Sequence, residues 1–326
     1  MTMTNTNVRL AEETVDPQEK EIDAQFVKFL TAVSLERHKD GPIPRFNQGR
    51  AAGCVRAQFV VLDTVAPEHR VGLFAKPHTF DAWIRFANAQ SENDREKDVR
   101  GMSVRVSGVT GENLTPGESR QDFVLNSHPV MVAGNTKDFM EFLEAMEAGG
   151  LRLASYFLAH PRAAVIGIQA RQQPTSHLDI PYWSTTPYLF GAGRAVKYIA
   201  RPCGTTAKTP PPDVTDTYLT DALRERLKNG EACFDFGIQL QTDARSMPIE
   251  DATVEWKEED SPWHMVAQIR IPKQNVEDPE TARLCEETAF NPWNCLVDHR
   301  PLGGLNRSRR EIYHAMAALR RSRVGS

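Results

Sequence analysis

Near the end of the chain, in NRSRREIYHAMAALRR (306–321), Arg309, Tyr313 and Arg320 are spaced by four and then seven residues. At about 100° per residue, a helix brings these side chains within roughly 40° of one another, on one stripe. A free phenol ionises near pH 10 and is a poor ligand at neutral pH. Neighbouring cations favour the phenolate, and bonding to a ferric ion favours it further. Two guanidinium groups flanking one phenol therefore read as a device that keeps an oxygen ligand anionic. The same spacing also fits a core-packed tyrosine whose arginines snorkel outward. The rest of the chain has to decide.

A chain of 326 residues, 40% hydrophobic and 25% charged, is long enough to bury a large core. Its formal net charge of −4 gives no electrostatic reason to expect nucleic acid or an anionic membrane as partner. No run has the 18 or more apolar residues of a membrane span, and MTMTNTNVRLAEETVD lacks the charged and apolar regions of a secretory signal. The five cysteines (54, 203, 233, 285 and 295) include no CxxC pair, and the nine histidines are scattered. Reduced thiols and a cytoplasmic location are expected, without a zinc site. Cys54 reads as a buried apolar filler.

The elements can be placed coarsely. In DPQEKEIDAQFVKFLTAV, Asp16 caps a helix, Pro17 takes its first turn and Glu19 completes a capping box. Ile22, Phe26, Phe29, Leu30 and Val33 form its apolar face. Alternating runs at 54–62, 82–89, 102–109 and 122–127 read as antiparallel strands. A helix follows from Thr136 to Gly149-Gly150, and ATVEW and HMVAQIRIP read as further strands. The stretch 201–216 reads as a surface excursion, SENDREKD (91–98) as a solvated loop, and GAGRAV (191–196) as a turn that fits no phosphate loop. Strands first, with helices around and after them, indicate an α+β fold.

Several segments, in order, resemble the haem catalase superfamily. Arg309–x3–Tyr313–x6–Arg320 resembles its proximal helix, and AFNPWN (289–294) the segment before it. RFNQGRAAG (45–53) is similar to the distal strand, and WIRFANA (83–89), KDVRGMSVRV (97–106) and VLNSHPVMV (124–132) follow in family order. The likeness covers roughly 40–145 and 285–321, and its end is closest to the small catalase-related branch. It implies a catalase-like antiparallel β-barrel core with surrounding helices and a C-terminal proximal helix. Residues 1–40 would be an arm and helix, and 41–326 a single haem-binding domain. It further implies haem b with Tyr313 as iron ligand and Arg309 as the phenolate's charge partner. Arg45, Arg85 and Arg320 would meet the propionates. Ala87, two residues from Arg85 on one strand face, and Phe139 would contact the macrocycle. Gln48, Asn126 and Asn47 would face the peroxide. His128 reads as a structural histidine, and Asp98 as bordering the substrate channel.

The departures bear on chemistry. Gln48 stands where the family has its distal histidine, Ala87 where it has a serine, and Ala315 where it has an aspartate. Imidazole can shuttle a proton near neutral pH; a carboxamide cannot. The resemblance therefore implies a haem oxidoreductase or isomerase acting on an organic hydroperoxide, or using peroxide to oxidise a small metabolite, with weak or no catalase activity. The alternative is a non-catalytic haem-binding or haem-sensing protein. Relatives of this kind self-associate, which implies a homo-oligomer.

Overall fold

The computed structural model describes residues 9–204 and 213–323, so half of the excursion expected at 201–216 lies outside the described residues. Four strands follow one another as an antiparallel meander: β1 (Ala51–Val61), β2 (His78–Asn88), β3 (Arg100–Ser107) and β4 (Arg120–Asn126). The short β5 (Tyr182–Trp183) continues from β4 and also pairs with β7 (Ala195–Pro202). From β7 the order runs through β8 (Ala232–Leu240) and β9 (Trp263–Ile271) back to β1, which closes an eight-stranded antiparallel barrel. A two-residue β6 (Tyr188–Leu189) hangs on β7 through the turn at Gly191 and Gly193, both at positive φ.

Alternation along these strands sends one set of side chains inward. Phe59, Phe123 and Phe236 meet there with ring centroids 4.8–5.8 Å apart, and Phe74 and Tyr198 pack around them. The barrel interior is thus a packed aromatic core. The space for a ligand must lie outside it.

That space is framed by helices. The first, α1 (Glu19–Arg37), buries Phe26, Leu30 and Val33. Asp16 accepts the amide hydrogen of Gln18, but Glu19 does not close a capping box. Its carboxylate turns to Arg307 instead, which also draws in Glu13 and Glu250, and a charged partner outcompetes a backbone amide. The second, α2 (Thr136–Ala148), starts at Asn135, whose side chain accepts from the Asp138 amide, and stops at Gly149 with φ 62°. Then come α3 (Gly150–Ala159), α4 (Pro161–Ala170), α5 (Tyr218–Asn229), α6 (Pro279–Glu287) and α7 (Gly304–Arg321). Phe26 and Leu30 of α1, Met140 and Leu143 of α2, and Ile312 and Met316 of α7 share one apolar cluster.

Three expectations are corrected. ATVEW is not a strand: the Asp251 carboxylate accepts from the Thr253 amide and hydroxyl, folding the segment into turns. The 91–98 stretch is not simply solvated, because Asp94 and Asp98 are buried acceptors for Arg50, Asn88 and the Leu219, Gln90 and Ser91 amides. Nor are all thiols reduced. Cys54 is bonded to Cys285 and Cys203 to Cys233, with Cα atoms 6.0 and 5.5 Å apart. Both pairs are made by tertiary approach, which spacing along the chain does not report. Cys295 is buried and free.

Lys197 on β7 is fully enclosed, its ammonium 5.0 Å from the Trp256 ring and donating to the Val254 carbonyl. Burial pushes its pKa down from 10.5 to about 7. Between those values the unfolded chain holds a proton that the folded chain lacks, so this residue's penalty is full below pH 7 and fades as pH rises towards 10.5. Lys197→Met is expected to stabilise the fold by about 2 kcal/mol at pH 6 and by less at pH 9. Thermal melts at the two pH values check it; an equal shift at both would contradict the titration.

Candidate functional site

Helix α7 reaches the site through two anchors. Asn306, fully buried, donates to the Pro187 and Leu302 carbonyls and accepts from Arg309 at 3.1 Å. Trp293 donates its indole hydrogen to the Asn306 carbonyl. The segment carrying Trp293 is itself pinned to the barrel. Arg105 on β3 forms two 2.8 Å bonds to Asp122 on β4 and a third to the Ala289 carbonyl, while Asp122 also accepts from Asn291 and Asn294. The 289–294 segment is thus tied to β3 and β4.

From this base Arg309 donates to the Tyr313 phenol oxygen at 3.0 Å, with its guanidinium 5.3 Å from the ring. Burial acts to lower the Arg309 pKa, but the nearby Tyr313 and Tyr188 oxygens outweigh it and leave the group held above its ordinary value. A guanidinium so placed gives the Tyr313 oxygen a hydrogen bond from a charged donor.

Tyr313 opens on a cleft whose space, mouth included, is about 1430 Å³. Arg45, Asn47, Gln48, Arg85, Asn126, Phe139, Arg309 and Arg320 line it too. Ala87 does not. It is fully buried, and the Gln48 carboxamide covers Gly101, its cross-strand partner on β3. His128 and Asp98 are likewise absent from the lining.

Three arginines converge at one end. Arg45 lies 2.7 Å from the Glu286 carboxylate on α6, and Arg85 and Arg320 lie 3.6 Å from it. Arg45 also donates to the Cys285 and Thr288 carbonyls. Burial, then the charge of Arg45 and, less, of Arg320, pushes the Arg85 pKa down to about 9 against the pull of Glu286. One half-exposed carboxylate does not neutralise three cations, and the buried Nε atoms of Arg85 and Arg320 have no partner. The end of the cleft is short of negative charge.

The other polar group is amide chemistry. Gln48 Nε2 donates to Asn126 Oδ1 at 3.0 Å. Gln48 sits at φ 57°, its amide bonded to the Ala89 carbonyl and to Asn47 Oδ1. A Cβ on Gly101 would lie 2.3 Å from the Gln48 side chain, so only glycine leaves the carboxamide its place. Missed from sequence were Glu286 and the pair Thr185 and Thr186, which line the cleft, Thr186 contacting Asn306. Thr185 at φ 61° is an outlier for a β-branched residue, and nothing in the string STTP announces it.

The fold is that of the catalases. Among solved structures the chain is similar to a bacterial catalase (TM-score 0.68, 16% identity, 92% of this chain and 61% of that one). It is similar to a fungal catalase (0.70, 16%, 91% and 63%) and to catalase A from Saccharomyces cerevisiae (0.69, 17%, 97% and 67%). The chain therefore spans roughly three fifths to two thirds of their length. A curated relative, the catalase-related peroxidase of Mycolicibacterium paratuberculosis (strain ATCC BAA-968 / K-10), is 28% identical over 243 residues, 67% of this chain and 71% of that protein. No protein-family model matches. In fold the chain is similar to the catalases, and in sequence to a catalase-related peroxidase.

Proposed function

We propose that this chain binds haem in the cleft and acts on an organic hydroperoxide, with little or no disproportionation of hydrogen peroxide. The observation that carries the reading is the surplus of buried positive charge: three guanidinium groups around one carboxylate, two with an unpartnered Nε. A macrocycle bearing two carboxylate arms supplies what those groups lack, and planar guanidinium forks suit carboxylates. Tyr313 would hold the iron with Arg309 as its charge partner, Arg45, Arg85 and Arg320 the propionates, and Phe139 a face of the ring. Bound haem b would supply an iron centre whose anionic oxygen ligand favours oxygen–oxygen cleavage.

The chain's own residues set which peroxide is used. Gln48 and Asn126 can donate and accept hydrogen bonds and so orient a peroxide or a water. Neither takes up and returns a proton in the neutral range, and disproportionation of hydrogen peroxide needs that shuttle. Homolytic cleavage of an organic hydroperoxide demands less proton transfer, and Leu30, Leu143 and Met316 line the cleft with apolar surface for an organic chain.

The test is the visible spectrum of protein produced with ample haem, then titration with hydrogen peroxide and a long-chain hydroperoxide side by side. A Soret band with saturable turnover of the organic hydroperoxide is expected. No Soret band would end the reading. Haem uptake without turnover of either peroxide would leave a haem-binding or haem-sensing protein, which the untitratable Gln48–Asn126 pair also fits.

A further inference from the structure

Helices α3 and α4 carry apolar residues on the wrong side. Leu151 is 88% exposed, Leu158 84%, Val165 53% and Ile168 77%, whereas the other exposed large apolar residues among those described are Leu10, Val15 and Leu284, scattered along the chain. Burial is not lacking for want of a core. The inward faces are satisfied by Tyr156 and Ala163, which pack with Ala145 and Phe142 of α2, and Gly167 of α4 lies against the Phe157 ring. Leu151 and Leu158 are seven residues apart, so they share one stripe of α3. Each helix thus has a core face and a second apolar face in solvent.

The charge of this region is as biased as its hydropathy. Residues 148–178 contain no aspartate or glutamate, although the chain holds 43 acidic residues in 326, and they do contain Arg152, Arg162 and Arg171, all exposed. Arg152 lies 3.4 Å from Glu144 of α2, and Arg162 donates to the Thr253 carbonyl; Arg171 makes no ion pair among the described residues. Among the described residues no helix is long and apolar enough to cross a membrane. Exposed leucines and isoleucine with arginines on the same two helices instead have the composition of an interfacial anchor. Long arginine stems let the charged heads reach headgroups while the aliphatic tips enter the acyl boundary.

We propose that α3 and α4 dock this protein on an anionic phospholipid surface through Leu151, Leu158, Val165 and Ile168, with Arg152, Arg162 and Arg171 meeting lipid phosphates. A second copy of the chain is the poorer occupant. A two-fold contact would set arginines against arginines with no carboxylate on these helices to answer them. Four side chains also cover far less than the about 800 Å² per partner of a stable interface. Docking is independent of the reaction in the cleft. Its consequence, that lipid hydroperoxides in or near the bilayer are the substrates, rests on the proposed function. It follows because α2 joins the two places: its Phe142 and Ala145 meet α3, while Thr136, Phe139 and Leu143 line the cleft.

The test is co-sedimentation of the full chain with vesicles of phosphatidylcholine alone or mixed with phosphatidylglycerol, beside sedimentation of the protein without lipid. Binding is expected to the anionic vesicles, at least about tenfold tighter than to neutral ones, and to weaken as salt rises. A Leu158→Ser/Ile168→Ser double variant should lose about tenfold or more of that binding while keeping its melting temperature, since both side chains are exposed. Arg152→Gln/Arg162→Gln/Arg171→Gln should lose the preference for anionic lipid. Equal weak binding to both vesicle types, or a serine variant that binds like the parent, would overturn the proposal. So would a lipid-free dimer that the serine substitutions dissociate without any vesicle binding, which would make this face a contact between copies. The consequence fails separately if vesicles bind but added lipid hydroperoxide is not turned over.

Discussion

Tyr313→Phe is expected to abolish the visible absorption features of a tyrosinate-ligated haem and to weaken haem retention at least about hundredfold, the upper end of what loss of a group merely supporting a ligand does. The phenol oxygen is the acceptor of the 3.0 Å bond from Arg309, and it lines the cleft that holds the arginine trio. Phenylalanine preserves the ring and its contact with the guanidinium while deleting only that oxygen. The substitution also has a consequence without any cofactor. Arg309, half-buried, keeps Asn306 and Thr186 but loses its partner at Tyr313, and a lost hydrogen bond to a charged group costs about 1.5–3 kcal/mol. The cofactor-free variant should therefore melt earlier than the parent, and Arg309→Leu/Tyr313→Phe should recover part of that loss by removing the stranded charge. A parent-like spectrum in Tyr313→Phe would remove Tyr313 as ligand. A parent-like melt would show that Arg309 is satisfied elsewhere.

What the sequence made legible follows from how local each feature is. A helix converts the spacing of Arg309 and Tyr313 into an angle, so their convergence could be read before any fold was known. The first four strands and α2 carry their own periodicity and stops: α2 runs from Thr136 to the Gly149 stop as expected, and the four strands are present but begin two to four residues before the starts that alternation suggested. Glu286 could not be read. It is one acid among several on α6, and its meaning comes from Arg45, 241 residues earlier, and from Arg85 and Arg320. The two cysteine pairs were hidden for the same reason, with 231 and 30 residues between partners. Ala87 shows a subtler failure. Period two does set it on the face of Arg85, but Gln48, arriving from outside the strand at positive φ, lies over the Ala87–Gly101 pair. Strand periodicity predicts a face and says nothing of what is laid upon it.

Gln48→His is expected to raise oxygen release from hydrogen peroxide by at least about tenfold, with organic hydroperoxide turnover changing less. Positioned proton transfer contributes about 10²–10⁴-fold, and the lower end applies here because Ala87 offers no hydroxyl to orient the new ring. The backbone is ready for the change. Position 48 has φ 57°, a region in which histidine is several-fold enriched over most residues, and Gly101 leaves the room that a side chain there needs. Asn126 Oδ1, the acceptor of the Gln48 amide, can accept from an imidazole N–H in the same direction and so favour one tautomer. The gain should appear above about pH 6.5 and fade below it, because a protonated ring has no lone pair to take the peroxide proton. Gln48→Glu separates the two roles of the residue: it keeps the length and brings a titrating group, but loses the N–H that Asn126 accepts. If Gln48→His evolves oxygen no faster than the parent while still binding haem, residue 48 does not meet the reacting peroxide, and the control of substrate choice must pass to Asn126 and the apolar wall of the cleft.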